Sequence, residues 1–376
     1  MRAIILKNKL LKGLSIVERV CSKSVSLPVL NNILFRAEKN FLVLAATDLE
    51  IAIEFKSLAK IEKEGKALLP SKIILNFVSF LEEKPILLDK ENSYLSVESG
   101  KYITKVKSLN PEEFPIIPKV SKIEFLSLPG YLFSKSLKKV VDFSSPSSTR
   151  PEIAGIYFIF GKDSIKMVST DSFRLGEKTI FLKRPSGLEK EKHLILPQRA
   201  AKEIINIFGN IEKEIKIYFS ANQILIESEI EEGPYPEIEF TSRLIEGEFP
   251  DYQAIVPKKF ETEVFFQKDE FLRQIKMASI FSGKSNEIKL KIDSQKKEVE
   301  FLSENPDLGS YKSQIKTEVK GKNLNIAFNH RFLSEGISQI EAKDLIFQLT
   351  DEEGPAVLKP AGAEDFFYVL MPIKIS

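Results

Sequence analysis

Apolar residues recur at helical spacing in three separate stretches of the chain. In the first stretch Leu10, Leu14, Val17 and Cys21 follow one another at intervals of three or four residues, which is typical of the buried face of one amphipathic helix. The same spacing returns twice further along the chain. We therefore predict three amphipathic helices, over residues 9–21, 131–143 and 270–281.

A second pattern also occurs three times: a short apolar run ends in Pro or Asn, and another amphipathic stretch follows. The residues are Pro70, Pro197 and Asn329, separated by 127 and 132 positions. Proline suits the first helical turn because its φ is already helical, and asparagine caps the same place. These sites predict three more helices, over residues 70–84, 197–209 and 329–341. The dipeptide Thr47-Asp48 likewise returns as Thr170-Asp171.

Short apolar or alternating runs between the helices predict β-strands. The strand candidates are Ile33–Arg36, Phe41–Ala46, Ile51–Phe55, Ile156–Phe160, Ile165–Ser169, Ile215–Phe219, Ile224–Glu227, Leu345–Leu349 and Phe367–Met371. Because the repeat offsets lie near one third of 376 residues, we predict three copies of one α+β unit, each a helix, several strands, a second helix and more strands. We place the domains at residues 1–121, 122–250 and 251–376. The acidic, proline-containing segment Glu227–Glu239 is interpreted as a solvated hairpin tip or an inserted loop.

Charge is distributed unevenly between the predicted elements. The chain has 55 Lys and Arg against 53 Asp and Glu, a net charge of +2, which excludes a uniformly basic protein that coats nucleic acid. Counted with their flanking residues, over 7–23, 70–84, 129–143, 197–209, 268–284 and 329–341, the six predicted helices carry +8 and the rest of the chain −6. Basic helices suit a protein that presents them to a polyanion. Ordinary solvated helix faces remain the alternative, because Lys is a good helix former.

Residues suited to catalysis or to metal binding are few. Cys21 is the only cysteine, so no intrachain disulfide can form, and a reducing cytosol is the default compartment. The two histidines are interpreted as structural, His193 in a polar turn and His330 near a helix N-terminus. We expect no catalytic residue, no metal, no cofactor, no transmembrane helix and no signal peptide. The alternative class, an enzyme, would instead show metal-dependent turnover.

Several short motifs occur in a consistent order along the whole chain. They are Leu27-Pro28-Val29-Leu30-Asn31-Asn32-Ile33, Ala46-Thr47-Asp48-Leu49-Glu50-Ile51, Phe114-Pro115, Thr170-Asp171-Ser172-Phe173-Arg174-Leu175, Gly247-Glu248-Phe249-Pro250-Asp251-Tyr252, Phe328-Asn329 and Val369-Leu370-Met371-Pro372-Ile373-Lys374-Ile375. Together these motifs resemble the bacterial sliding clamp family, the β subunit of DNA polymerase III.

The resemblance implies a non-catalytic accessory protein that confers processivity in replication. The family fold is three clamp domains, each with two helices packed on β-sheets, and two chains join head to tail as a homodimer in a closed six-domain ring. The expected partners are double-stranded DNA without sequence preference, the clamp loader, the DNA polymerase III catalytic subunit and other proteins with a clamp-binding motif, with no membrane. A non-catalytic three-domain scaffold that does not encircle DNA remains the alternative, and retention on circular DNA distinguishes the two.

The resemblance also implies three sets of site residues. For DNA contact these are Arg19, Lys23, Lys139, Arg150, Arg199, Lys202 and Arg273. For a pocket that captures partner peptides they are Ile153, Thr170, Ser172, Phe173, Arg174, Leu175, Pro250, Ile255, Asn329, Phe332, Pro355, Val369, Leu370, Met371, Pro372 and Ile373. For the dimer interface they are Val106, Ile280 and Phe281. The chain has Ser24 where the family has a pore arginine, and Ser172-Phe173 where the family often has Gly-His.

Overall fold

The computed structural model describes residues 1–21, 27–145, 149–230, 233 and 235–374. Along the chain one order of elements returns three times: a strand, a helix, a group of strands, a second helix and three more strands. This order confirms the threefold repeat predicted from the helical and proline patterns.

The described part of the first third contains nine strands and two α-helices. The strands are β1 Arg2–Leu6, β2 Asn32–Glu38, β3 Phe41–Thr47, β4 Ile51–Leu58, β5 Lys60–Lys63, β6 Gly65–Pro70, β7 Pro85–Glu91, β8 Tyr94–Ser99 and β9 Tyr102–Lys107. The helices are α1 Lys7–Val17 and α2 Ser71–Ser79.

Among the described residues of the middle third there are eight strands and two α-helices. The strands are β10 Phe125–Pro129, β11 Gly155–Phe160, β12 Ser164–Thr170, β13 Arg174–Phe181, β14 Lys192–Pro197, β15 Glu214–Phe219, β16 Gln223–Glu229 and β17 Pro236–Arg243. The helices are α3 Gly130–Lys138 and α4 Gln198–Phe208. His193 therefore lies in β14 and not in the predicted polar turn. In β14 its Nδ1 is 2.7 Å from the Tyr157 hydroxyl.

The last third, as far as residue 374, contains nine strands and two α-helices. The strands are β18 Thr262–Gln267, β19 Glu287–Asp293, β20 Glu298–Asn305, β21 Gly309–Lys316, β22 Glu318–Gly321, β23 Leu324–Asn329, β24 Asp344–Leu349, β25 Ala356–Pro360 and β26 Phe366–Leu370. The helices are α5 Lys268–Ser279 and α6 His330–Gln339. Asn329 caps α6 as predicted, because its side chain accepts the Arg331 N–H at 3.0 Å.

Two compact units hold the described elements. The first unit comprises residues 1–134 and 203–244, and the second comprises residues 135–202 and 245–376. The first unit contains the sheets β5-β1-β7-β8-β9 and β10-β15-β16-β17-β4-β3-β2-β6, and the second contains β14-β11-β12-β13-β26-β25-β24-β18-β22 and β21-β20-β19-β23. All of the strand pairs are antiparallel.

The two units do not coincide with the three repeats, because sheets run from one repeat into the next. In the first unit β17 pairs with β4, Phe240 opposite Ile53. In the second unit β13 pairs with β26, Leu175 opposite Val369. The strands of the middle repeat are thereby divided between two sheets. The domain boundaries at 121/122 and 250/251 stay a prediction.

Three of the predicted helices end four or five residues before their predicted ends, and α2, which was expected to reach residue 84, stops at Ser79. The α-helix α1 stops at Val17, and a 3₁₀ turn continues to Val20. The α-helix α3 stops at Lys138, and a 3₁₀ turn follows at Val141–Phe143. Beyond α3, two side chains satisfy the Val141 carbonyl: Ser144 Oγ and Gln198 Nε2 each donate a hydrogen bond to it at 3.1 Å. These bonds replace the continuing helical ladder.

The acidic segment Glu227–Glu239 is only in part the solvated loop that the sequence predicted. Strand β16 continues to Glu229 and β17 begins at Pro236. Glu227, Ser228 and Ile238 are buried. The turn itself is closed by the Ile230 N–H, which donates to Tyr235 O at 2.9 Å. Residues 231, 232 and 234 lie outside the described part of the chain.

Candidate functional site

The repeated Thr-Asp motif forms the same turn in both places. Thr170 Oγ1 donates to Arg174 O at 2.7 Å and accepts the Ser172 N–H at 3.1 Å. In the first repeat Thr47 Oγ1 donates to Ile51 O at 2.8 Å and accepts the Leu49 N–H at 3.0 Å. The aspartate of each motif accepts two further backbone N–H groups. The motif is therefore a structural device that reverses the chain between adjacent strands.

The Thr170 turn holds Ser172 in the left-handed region, with φ of 78°. A left-handed φ favours glycine because a side chain there crowds the backbone. The Ser172 Oγ accepts a hydrogen bond from Arg150 Nη1 at 3.0 Å, and Arg150 Nε is 3.1 Å from the Glu152 carboxylate. The structure thus places Arg150 beside the turn that carries the predicted pocket residues.

Arg174 ties this turn to helix α6. Its Nε lies 3.0 Å from Asp171 Oδ2, its guanidinium pairs with the Glu335 carboxylate, and its guanidinium carbon lies 4.4 Å from the centre of the Phe332 ring. Burial lowers the pKa of Arg174, but the hydrogen bond and the charges of the neighbouring carboxylates outweigh burial, so its pKa is raised. Arg174 is therefore a fixed cation with a stacked aromatic face.

Strand β26 continues the surface next to the turn. The Met371 N–H donates to Phe173 O at 2.9 Å, so these two residues are neighbours. The Phe173 side chain is 62% exposed and Met371 is 41% exposed, while the Phe173 and Phe332 rings lie 6.5 Å apart. An exposed aromatic ring beside an exposed methionine is typical of an adaptable apolar docking surface.

The sixteen predicted pocket residues all lie in the second unit, but they differ in accessibility. The exposed ones are Ser172, Phe173, Ile255 and Met371, and the half-buried ones are Arg174, Pro250, Asn329, Phe332, Pro355, Pro372 and Ile373. The buried ones are Ile153, Thr170, Leu175, Val369 and Leu370. Leu175 and Val369 pack with Val168, Tyr252 and Val357 in one core cluster. The buried group supports the surface from below, and its contact with a ligand stays a prediction.

Four of the described basic residues predicted for DNA contact pair with carboxylates. Arg19 Nε is 2.6 Å from Glu203 Oε2, Lys202 Nζ is 3.2 Å from Asp142 Oδ1, and Lys139 Nζ is 3.4 Å from Glu341 Oε1. Arg150 is paired as described above. Burial lowers the pKa of Lys139, whose side chain is only 13% exposed. These side chains therefore offer less net charge than the sequence tally suggests.

Arg199 and Arg273 are exposed on α4 and α5. Within the described ranges no carboxylate lies within ion-pair distance of Arg273, nor of the exposed Lys138 and Lys276. The sequence reasoning missed the last two, although their positions on basic helices pointed to them. Lys23 lies outside the described residues.

The predicted interface residues differ in what they present to solvent. Ile280 is 66% exposed at the end of α5, and Phe281 is half-buried, with its ring stacked 6.3 Å from Tyr311. Val106 is only 6% exposed, so its side chain belongs to the core of its own unit. The most exposed apolar residue of β9 is Ile103, 65% exposed, which lies on the opposite face of the strand from Val106. Alternation along the strand would have identified it.

The edges of the sheets in each unit are equally informative. Strand β9 is the last strand of one sheet in the first unit, and β21 is the last strand of one sheet in the second unit. Both therefore present unpaired backbone N–H and C=O groups along one side. The first unit also has exposed apolar side chains on and directly after helix α2: Ile73 is 58% exposed and Phe80 is 88% exposed.

Neither a metal nor a membrane is indicated by the residues that the structure describes. They contain no group of three or more His, Cys, Asp or Glu side chains placed to hold a metal ion. They also contain no helix long and apolar enough to cross a membrane. Burial raises the pKa of the Cys21 thiol to about 12, so this cysteine is unreactive near neutral pH.

Three family models match successive parts of the chain. They describe the DNA polymerase III beta subunit N-terminal domain at residues 1–118, its central domain at residues 127–251 and its C-terminal domain at residues 253–374. The chain belongs to the DNA polymerase III beta subunit family. The three domains follow the three repeats of elements, and each repeat is one copy of the clamp fold.

Curated relatives and solved structures agree with this assignment. The beta sliding clamp of Staphylococcus aureus is 24% identical over 366 residues, which cover 95% of this chain and 94% of the relative, and that of Staphylococcus epidermidis is 25% identical. The fold resembles the DNA polymerase sliding clamp of Bacillus subtilis, with a TM-score of 0.93 at 22% identity. It also resembles a Pseudomonas aeruginosa sliding clamp bound to griselimycin, with a TM-score of 0.92 at 23% identity. Each of these two structural comparisons covers 100% of both chains.

Proposed function

We propose that this chain is a DNA sliding clamp of replication: two copies close head to tail into a ring around duplex DNA. The ring tethers the replicative polymerase and other DNA-processing proteins to their template. The observation that carries the proposal is the family membership of all three domains, together with β9 and β21, which are two of the eight edge strands of the described sheets. The role is accessory and non-catalytic, in the cytoplasm at the nucleoid.

Ring closure would pair the edge strand β9 of one copy with the edge strand β21 of another. If β9 of one copy pairs with β21 of a second copy, each sheet continues into the next chain and the unpaired backbone groups are satisfied. Ile103 flanks the first edge, and Ile280 and Phe281 flank the second. Burying these exposed apolar side chains would stabilise the contact. A head-to-tail contact gives a ring only if the rotation closes after two copies.

The electrostatic part of the proposal is a diffuse, sequence-independent attraction. Sliding requires contacts to phosphates without base contacts that would hold one register. Of the predicted residues, the proposal relies most on Arg273, which is exposed and has no carboxylate within ion-pair distance in the described ranges. Arg19 and Lys139 contribute less because each is within 3.4 Å of a carboxylate.

The decisive experiment loads the full chain onto nicked circular DNA with a clamp loader and ATP. Retention on circles through gel filtration, followed by loss after the DNA is linearised, is the expected result. Phe281→Asp serves as the control, since a charge at the interface should give a monomer by sedimentation and abolish retention. A scaffold that does not encircle DNA would show no retention in either form, and an enzyme would show metal-dependent turnover.

Charge neutralisation tests the DNA contacts. Arg199→Ala, Lys202→Ala and Arg273→Ala together should reduce the slope of log affinity against log salt by up to about 2.7, since each phosphate contact contributes about 0.9. Lys258→Ala with Lys259→Ala, an exposed pair outside the helices, is the matched control. An unchanged slope in the triple variant contradicts the assignment of these residues to DNA.

A partner peptide tests the pocket. We propose that the surface around Phe173, Met371 and Phe332 captures partly apolar clamp-binding motifs of the clamp loader, of the DNA polymerase III catalytic subunit and of other partners. Phe173→Ala with Met371→Ala should weaken a polymerase C-terminal peptide by more than tenfold, since hot-spot truncations cost about 2 kcal/mol or more. Ile123→Ala, an equally apolar change at a side chain 89% exposed, should leave binding unchanged. Equal binding to the double variant would refute the site.

A further inference from the structure

A basic and aromatic surface lies in the second unit beside the turn between β11 and β12, at the end of the β12–β13 hairpin opposite the Thr170 turn. The proposed function does not use it. The exposed side chains are Phe181, at the end of β13, with Lys162, Lys183 and Arg184. We call these four residues the tip surface. Phe181 is 66% exposed, although it directly follows six buried strand residues.

Backbone hydrogen bonds bring the two segments of the tip surface together. Phe181 stands opposite Ser164 in the strand register. The Leu182 N–H donates to Asp163 O at 2.9 Å, and the Ser186 N–H donates to Lys162 O at 2.7 Å. Lys162 is therefore held beside the segment that carries Phe181, Lys183 and Arg184.

The cations of the tip surface are free of carboxylate partners. Elsewhere many exposed lysines and arginines are paired, but within the described ranges no carboxylate lies within 4 Å of Lys162, Lys183 or Arg184. Acidic residues also occur in these segments, at Asp163, Glu189 and Glu191, and Glu191 is 2.9 Å from His193. The surface therefore presents three exposed cations around one exposed ring.

We propose that the tip surface binds single-stranded DNA. Three unpaired cations match a chain of phosphates, and an exposed aromatic ring offers a platform on which an unpaired base stacks. A duplex would not use the ring, because its bases are stacked within the helix. An acidic peptide would engage the cations and leave the ring in water. A single strand is thus the anionic partner that uses both features.

The proposal is independent of ring closure. Encirclement concerns duplex DNA and requires two copies, whereas the tip surface lies within one unit of one chain. Variants at this surface should therefore be retained on circular DNA like the original protein. That control separates failure of this inference from failure of the proposed clamp function.

The test uses the full chain and a fluorescein-labelled oligo(dT) of about twenty nucleotides, with anisotropy measured from low to moderate KCl. Phe181→Ala should weaken binding by about fivefold or more, the loss expected for one stacked base, without changing the salt slope. Lys162→Ala, Lys183→Ala and Arg184→Ala together should reduce the slope by about 2, at about 0.7 per phosphate of a single strand. Lys258→Ala with Lys259→Ala is the control for lost charge.

Three results would overturn the inference. One is oligo(dT) affinity unchanged by Phe181→Ala in a protein whose melting temperature is also unchanged. Another is an equal reduction of the slope by the Lys258 and Lys259 control, which would mean that charge anywhere suffices. The third is a polyglutamate peptide that binds as well as oligo(dT) and ignores Phe181→Ala, because the partner would then be an acidic peptide.

Discussion

Ion pairs of Lys122 connect the segment between β9 and β10 to the eight-stranded sheet of the first unit. Its ammonium pairs with the Glu227 carboxylate and lies 2.5 Å from Glu239 Oε1, and it is 5.8 Å from the centre of the Tyr218 ring. The two carboxylates belong to β16 and β17, more than a hundred residues away. Replacing Lys122 with methionine keeps the length of the side chain and removes the charge.

Burial of the carboxylates sets the size of the effect. The Glu227 side chain is only 7% exposed and Glu239 is 27% exposed, while Lys122 is 41% exposed. Leaving a buried polar group without its partner costs about 1–3 kcal/mol, and more for a charge. The partial exposure of Lys122 reduces this loss by solvent screening. We expect Lys122→Met to lower the free energy of unfolding of the first unit by about 2 kcal/mol.

The assay is urea denaturation combined with hydrogen exchange of the connector amides, because the molecule has two units and one global midpoint would mix them. Adding Glu227→Gln to Lys122→Met should recover part of the loss, since no buried charge is then orphaned. Lys119→Met, an exposed change on the same connector, is the control. A loss under about 0.5 kcal/mol, or no recovery in the double variant, would refute the reasoning.

The pH dependence gives a second readout of the same contact. Burial lowers the pKa of Lys122, but its hydrogen bonds to the two glutamates outweigh burial and raise it. A raised lysine pKa stabilises the fold fully below the unfolded value of about 10.4, and the contribution disappears as the pH rises through the folded value. The difference between the original protein and Lys122→Met should therefore be constant from neutral pH to about pH 9.5 and should narrow above that.

Three further predictions concern single positions in the second unit. Gly336 lies directly beneath the Tyr368 ring, so that an added Cβ would overlap it, and Gly336→Ala should lower the free energy of unfolding by about 1–3 kcal/mol in thermal melts. Burial lowers the pKa of His330, so stability should fall as the pH drops below about 6.5, where the unfolded chain takes up the proton first; His330→Asn should remove this dependence in urea titrations at pH 5 and 7. Ser172 has φ of 78°, so Ser172→Val should be less stable than Ser172→Gly by about 1–2 kcal/mol in the same titrations.

The six helices show how much of the fold the local sequence pattern predicts. Three were predictable from apolar spacing, because a helix is organised by contacts three and four residues apart. The other three were predictable from a Pro or Asn before an amphipathic stretch, and Pro70 and Asn329 marked starts that the structure confirms. Helix ends were less predictable. The end of α3 depends on Gln198, which is distant in sequence and takes the Val141 carbonyl.

The sequence by itself determined the threefold repeat, the fold class, the family and the segregation of basic residues onto helices. Only the tertiary structure decided which of those charges are neutralised, since Arg19 meets Glu203 across 184 positions. It also decided that Val106 is buried and Ile103 exposed, and that β9 and β21 are edges. The physical reason is range: spacing and capping act within one or two turns of the chain, whereas ion pairs, burial and strand order depend on segments that meet only after folding.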